Sequence, residues 1–212
     1  MIYKVDGKTF NASKFARTLG RPLGLKFDSN GSLIVADADF GLLSVDKQGR
    51  VSQLCSESEG VPFKFADFVE IGEDGAVYFS DASRHPYHKT LVAVVDGVRS
   101  GRVLKYDPKK ERCELVADNL QFPNGMVLTD GGKALLVAEL SAYRIWKIQL
   151  EGSNKGKREL WLETPGMPDN LQRGSNGIIY VGMGVKRDPV LEKYVFILAS
   201  ILFWKFHFSL CF

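Results

Sequence analysis

Four oxygen-bearing side chains stand near the start of a hairpin pattern that recurs along the chain. Asn124 lies in a Pro-Asn-Gly triplet, Asp169 and Asn170 in a Pro-Asp-Asn triplet, and Asp67 in an Ala-Asp-Phe triplet. Proteins bind Ca²⁺ through about six to eight oxygen ligands, which several repeats together can supply. Asn and Asp beside Gly or Pro also form turns. The pairing of Asn124 with Asp169 and Asn170 at equivalent points of successive repeats strengthens the interpretation as a calcium site, and the turn interpretation stays open.

Two histidines, His85 and His88, stand three positions apart in a polar segment with a proline between them. Their spacing is compatible with metal binding, but the polar surroundings favour a solvated loop. A third interpretation makes them substrate-lid residues at the mouth of a channel. All three interpretations remain open from the sequence.

Other catalytic patterns have little support. The chain contains no Gly-x-Ser-x-Gly motif, so a hydrolase-type serine triad is not indicated. Asp37, Asp81 and Glu139 occupy matching positions at the ends of predicted strands. We expect these acids to cap turns rather than to form an acidic cluster. No catalytic residue is assigned from the sequence.

The elements that must position these side chains are hairpins of apolar strands joined by Gly-containing turns. Their closing residues, Asp37, Asp81, Glu139 and Met183, are 44, 58 and 44 positions apart. This period is typical of a β-propeller, whose blades take roughly 40–50 residues each. The four hairpin sequences are PLGLKFDSNGSLIVAD, ADFVEIGEDGAVYFSD, FPNGMVLTDGGKALLVAE and PDNLQRGSNGIIYVGM.

The repeats predict an all-β fold with three complete blades and part of a fourth, about three and a half in total. The propeller region covers residues 21–188, after an N-terminal segment of residues 1–20. An insertion at residues 82–100 interrupts the second blade. Insertions of this kind usually lie at one end of a propeller, often as lids.

Residues 189–212 form an apolar tail in which the repeat pattern is lost. Its strongly apolar run without a charged residue, Tyr194 to Trp204, is shorter than the roughly 20 residues that span a bilayer. The leading interpretation is an end foreign to the repeat, from truncation or a transcript variant. A C-terminal membrane anchor and an ordinary buried element are the alternatives.

Composition excludes several classes of protein. The net charge of +3 is spread along 212 residues without a basic stripe, so nucleic-acid binding is not indicated. Three cysteines without C-x-x-C spacing allow at most one disulfide within the chain. The first twenty residues lack the apolar stretch of a signal peptide, which indicates a cytosolic chain or an N-terminus that lies further upstream. The sequons at Asn11 and Asn30 would matter only in the secretory pathway.

The repeated segments resemble the strictosidine synthase-like family. The resemblance runs from about residue 21 to 188 in the family's order and is carried by RPLGLKFDSNGSLIVADADFGL, FADFVEIGEDGAVYFSDAS, GRVLKYDP, FPNGMVLTDGGKALLVAE and GMPDNLQRGSNGIIYVGM. It implies a six-bladed propeller related to gluconolactonases, paraoxonases and other calcium-dependent esterases, of which about two blades are missing here. It also implies a membrane or secretory location and possible membrane association.

The resemblance further implies Ca²⁺ ligands at Asn124, Asp169 and Asn170. It shows one departure, because Ala66 replaces an Asn and only the following Asp67 offers a carboxylate. The implied function is an esterase- or lactonase-type hydrolase, including arylesterase activity, that acts on a small molecule through the metal. A non-catalytic propeller that binds a small ligand or a protein is the alternative. A strictosidine synthase-type lyase is another, but its catalytic Glu lies in a late blade beyond this chain.

Overall fold

The computed structural model describes residues 1–187, and it is built almost entirely of antiparallel sheet. Three sheets contain four strands each, and in each of them the strands follow their order in the chain. A two-stranded sheet, the half-blade, comes after them. The predicted all-β fold of about three and a half propeller blades is therefore confirmed.

The strands are numbered in chain order. They are β1 (Ile2–Val5), β2 (Ala12–Ala16), β3 (Pro22–Phe27), β4 (Leu33–Asp37), β5 (Gly41–Val45), β6 (Val51–Cys55), β7 (Glu57–Ser58), β8 (Val61–Pro62), β9 (Ala66–Ile71), β10 (Val77–Asp81), β11 (Gly101–Asp107), β12 (Arg112–Leu120), β13 (Pro123–Thr129), β14 (Ala134–Glu139), β15 (Arg144–Gln149), β16 (Arg158–Glu163), β17 (Gly166–Arg173) and β18 (Ile179–Lys186). Blade 1 is β3 to β6, blade 2 is β9 to β12, blade 3 is β13 to β16, and the half-blade is β17 and β18.

The second strand of each complete blade is buried along its whole length. Strands β4, β10 and β14 consist mainly of apolar residues, without the alternation of a half-exposed strand. A strand has such a continuous apolar sequence when other elements cover both faces of its sheet. These strands therefore form the middle of the core.

Neighbouring blades pack face to face through apolar clusters. Leu42 of blade 1 packs with Phe79 and Leu104 of blade 2. Val103 of blade 2 belongs to a second cluster with Leu135 of blade 3. A third cluster joins blade 3 to the half-blade, and its buried members are Val127, Leu136, Ala138, Ile145 and Leu171. Because an apolar cluster lies in every interface between neighbouring blades, the blades stabilise one another mainly by burying this surface.

The N-terminal segment forms a hairpin of β1 and β2 that covers the remaining face of blade 1. Ile2 and Ala16 are buried against Val35 and Leu43. The third and fourth strands of blade 2 contact blade 3 in the same manner. The hairpin thus occupies the place that the outer strands of a preceding blade would take.

The acids at the ends of β4, β10 and β14 cap loops, as the sequence predicts. Asp37 Oδ1 accepts hydrogen bonds from the backbone N–H groups of residues 21, 39 and 40. Asp81 Oδ1 accepts from residues 64 and 65, and its other oxygen pairs with Arg102 at 2.6 Å. Glu139 is fully buried and accepts from the N–H of residue 121, from Arg144 and from Trp146. Each acid fixes the loop that leads into the first strand of its own blade.

The insertion of residues 82–100 contains a 3-10 turn, Tyr87–Lys89, followed by the helix α1, Thr90–Val95. His85 Nε2 lies 2.8 Å from Asp96 Oδ2, and its side chain is only 20% exposed. The expectation of a solvated loop is therefore wrong for His85, which joins the two ends of the insertion. His88 is exposed.

A disulfide between Cys55 and Cys113 joins the outermost strands of blades 1 and 2, with their Cα atoms 6.4 Å apart. This agrees with the limit of one disulfide set by the cysteine count. Cys211 and the predicted apolar tail lie outside the described residues. Within residues 1–187 no helix has the length and apolar character needed to cross a membrane.

Candidate functional site

The candidate site is built on β-bulges in the first strands of the blades. Asp67 and Phe68 of β9 together face one residue of β10, because the pairing shifts between Ala66 and Val69. Asn124 and Gly125 of β13 form the same irregularity. Bulges bend a strand and re-aim its side chains, and they are frequent beside active sites.

The half-blade repeats this bulge with Asp169 and Asn170 of β17. The pairing of the strands therefore aligns Asp67, Asn124 and Asp169 with one another. In blade 1 the extra residue is the apolar Leu23. Three of the four first strands thus place an oxygen-bearing side chain at one structural position.

The first strands approach one another closely at this end of the blades. A Cβ on Gly125 would lie 2.3 Å from the backbone nitrogen of Leu171 and 2.4 Å from the backbone oxygen of Asp169. A Cβ on Gly24 would lie 2.7–2.9 Å from backbone atoms of residues 67–69. Only glycine permits this approach, which brings the bulged residues of neighbouring blades together.

All four predicted metal ligands line one open cavity of about 550 Å³. Asn124 is buried, Asp67 and Asp169 are half-buried, and Asn170 is exposed. Apolar side chains form the rest of the wall. The structure therefore brings these four residues to one cavity and adds apolar walls that the repeat pattern does not reveal.

The electrostatics of the cavity are unfavourable for the charged form of Asp67. Burial raises the pKa of this carboxyl group to about 7, and the negative charge of Asp169 adds to the rise. Burial also raises the pKa of Asp169. The cavity therefore holds two acids close enough to repel each other, without a basic side chain among its lining residues.

Asn124 occupies the middle of this arrangement. Its Nδ2 group donates a hydrogen bond to Asp67 Oδ2 over 3.1 Å. Its Oδ1 atom is buried and accepts no hydrogen bond. A buried oxygen without a partner costs on the order of 1–3 kcal/mol, so it needs an explanation.

The donor set fits a calcium ion. Carboxylates and amide oxygens are the ligands that Ca²⁺ prefers, and a divalent cation would relieve both the repulsion between the acids and the unpaired Asn124 oxygen. Residues 1–187 contain no group of three or more His, Cys, Asp or Glu side chains that could hold a metal. Any metal here would accordingly depend on Asn124 and Asn170 beside the two carboxylates.

The insertion contributes part of the cavity wall. Tyr87, Thr90 and Val94 line it, whereas the histidines predicted as lid residues, His85 and His88, do not. Tyr87, Thr90 and Val94 are spaced three and four positions apart, which places them on one side of the helical segment. This spacing is the signal in the sequence that could have identified them.

Three sheets of blade type, a half-blade and a site at the inner ends of their first strands define a partial β-propeller. Two solved structures share this fold. A gluconolactonase from Xanthomonas campestris superposes with a TM-score of 0.68 at 18% identity, over 82% of this chain and 59% of that one. The calcium-binding protein regucalcin from Agrobacterium tumefaciens superposes with a TM-score of 0.64 at 15% identity, over 84% and 58%.

Relatives found by sequence identify the family more narrowly than the shared fold does. The family described as strictosidine synthase matches residues 67–153. Strictosidine synthase-like 10 of Arabidopsis thaliana is 37% identical over 180 residues, covering 83% of this chain and 48% of the relative. The adipocyte plasma membrane-associated protein of Danio rerio is 36% identical over 230 residues, covering 94% and 55%.

These matches confirm the resemblance to the strictosidine synthase-like family. The chain spans about half the length of the relatives that it matches. Relatives named for association with a plasma membrane occur in fish and in Homo sapiens. The matched residues contain Asp67 and Asn124.

Proposed function

We propose that this chain carries most of a calcium site that serves hydrolysis of a small ester or lactone. The observation that supports this most directly is the convergence of Asp67, Asn124 and Asp169, from three blades, on a cavity where one oxygen lacks a partner. A gluconolactonase and a calcium-binding protein among the structures with the same fold are compatible with this chemistry.

The chain's own residues would bind and orient the ligands. Asp67, Asn124, Asp169 and Asn170 would hold the calcium ion, which supplies, when bound, a positive charge that polarises an ester carbonyl and stabilises the negative charge developing on its oxygen. The bulges and Gly125 keep the donors of neighbouring blades together. The apolar part of the wall excludes water and strengthens these electrostatic effects.

Calcium binding tests the site. Isothermal titration of the full chain should show one calcium ion bound at about pH 7.5, and a ligand that binds only the native state should raise the melting temperature. Asn124→Ala should abolish both effects, because it removes the one ligand oxygen that is buried and has no hydrogen-bond partner. Asn30→Ala, in an exposed turn, is the matched control and should leave them unchanged. Unaltered calcium binding in Asn124→Ala would contradict the proposal.

Hydrolysis separates the enzyme from the alternatives. A calcium-dependent release of phenol from phenyl acetate would support an arylesterase-type hydrolase. Calcium binding without turnover would favour a non-catalytic propeller that holds a small ligand. The lyase alternative stays a prediction from the resemblance, since no residue of the described part is assigned to it.

We further propose that the protein works in the secretory pathway or at a membrane. The disulfide between Cys55 and Cys113 supports this, because such bonds persist mainly in oxidising compartments. Asn11 and Asn30 are exposed and would be available for glycosylation there. A mobility shift after treatment with an N-glycosidase, lost in Asn11→Gln with Asn30→Gln, would test it.

A further inference from the structure

The insertion of residues 82–100 does more than cover one end of the blades, because its inner side is part of the cavity. Three of its side chains, Tyr87, Thr90 and Val94, line the same cavity as the polar ligands. Ala93, on the same side of α1, is buried, whereas Leu91 is 76% exposed. The helix therefore presents a short inner side to the cavity and a different one to solvent.

The inner side continues an apolar wall that comes from the blades. The ring of Phe65 packs edge to face against Tyr87, with centroids 5.5 Å apart, and against Phe122 at 5.2 Å. Val94 packs against the same cluster. Edge-to-face contacts hold the rings in fixed orientations. Phe65, Tyr87 and Phe122 thus form an aromatic part of the wall of the cavity that Asp67 and Asn124 also line.

The insertion is held in place at both ends. His85 Nε2 lies within hydrogen-bond distance of Asp96 Oδ2, at 2.8 Å, and the Gln121 side chain donates a hydrogen bond to the backbone oxygen of Gly97 over 2.8 Å. The backbone N–H of Arg84 donates to the Ser100 hydroxyl. These contacts hold Tyr87 and Val94 in position relative to the blades. A side chain that discriminates between substrates must be held in this way.

We propose that Tyr87 and Val94 are specificity-determining residues, an inference that rests on the ester or lactone chemistry proposed above. The calcium ion held by the polar ligands would take the carbonyl group, and the aromatic wall would take an apolar ring or alkyl chain next to it. The site therefore selects esters or lactones with an apolar group beside the scissile bond and discriminates against strongly polar ones such as sugar lactones. The affinity for such a substrate increases with each methylene group that the hydrophobic wall buries.

The test uses two hydrolysis-resistant probes, N-(4-fluorophenyl)hexanamide and N-(4-fluorophenyl)acetamide. Their dissociation constants for the full chain with calcium are measured by ¹⁹F line broadening, so activity is not needed. The wild type should bind the hexanamide more tightly. Val94→Ala removes two methyl groups from the wall and should reduce this preference about tenfold, and Tyr87→Ala should reduce it as well. Leu91→Ala, from the exposed side of the same helix, is the matched control and should preserve it.

The outcomes are distinct for the two proposals. A preference that is unchanged in Val94→Ala and Tyr87→Ala, or a wild type that binds neither probe, would overturn the assignment of the wall. Calcium titration of the same variants should stay at wild-type affinity, because neither side chain is a metal ligand. A wild type that does not bind calcium would instead overturn the proposed function. The effect of Val94→Ala and Tyr87→Ala on the preference between the probes would still test the assignment of the wall.

Discussion

The raised pKa of Asp67 leads to a prediction about stability. Replacing Asp67 with Asn keeps the shape of the side chain and removes its charge. In the folded protein the carboxyl group has a pKa of about 7, against 3.8 for an ordinary aspartate. The folded state therefore binds more protons than the unfolded state between these values, so this group makes stability fall as pH rises from about 4 to about 7. The full difference corresponds to at most about 4 kcal/mol above pH 7.

Urea unfolding at about pH 4 and about pH 8, without calcium, measures this effect. Asp67→Asn should be more stable than the wild type at the higher pH, by up to the amount given above, and should differ little at the lower pH. Asp118→Asn, an exposed change of the same chemistry, is the matched control. Calcium should stabilise the wild type at about pH 8 and have less effect on Asp67→Asn. A variant that is less stable than the wild type at about pH 8 would refute the reasoning.

The other predictions concern the parts that position the site. Gly125→Ala should lower the melting temperature and abolish calcium binding, because its Cβ meets backbone at 2.3 Å, whereas Gly7→Ala, with open space around it, should do neither. Glu139→Ala should cost about 3–5 kcal/mol in urea unfolding by leaving buried donors unpaired, against less than about 1 kcal/mol for the exposed Glu159→Ala. Cys113→Ser should cost about 4 kcal/mol, as expected for a loop of 58 residues, and an equal stability of both proteins without reductant would contradict this.

Much of the fold could be predicted because a propeller repeats its signals. Each blade carries an apolar second strand, a Gly-containing turn and a closing acid, so Asp37, Asp81 and Glu139 could be matched by position alone. The caps follow from the same periodicity. The structure shows the hydrogen bonds by which each of these acids caps its loop.

The geometry around the candidate site could not be predicted from the sequence. Asn124, Asp169 and Asn170 are visible as motif residues, yet the alignment of Asp67 with Asn124 depends on a bulge, and no single residue type announces one. The role of Gly125 likewise depends on how closely two strands from different blades approach. Both features arise from pairing between distant segments, which local patterns do not encode.

The insertion was the least predictable part. Its sequence looks polar around His85, but the imidazole of this residue lies against the carboxylate of Asp96, eleven residues later in the chain. The helix α1 is short, and only packing against the ends of the blades shows which side of it faces inward.

The way in which the blades are fastened has a mechanical consequence. Near the rim, the disulfide joins blades 1 and 2 covalently. Near the axis, Asp67, Asn124 and Asp169 belong to blade 2, blade 3 and the half-blade. An ion bound by all three would be a reversible cross-link between sheets that share no covalent link there. Ligand concentration would then set how firmly these sheets are clamped, adding about 2.7 kcal/mol at one hundred times the dissociation constant.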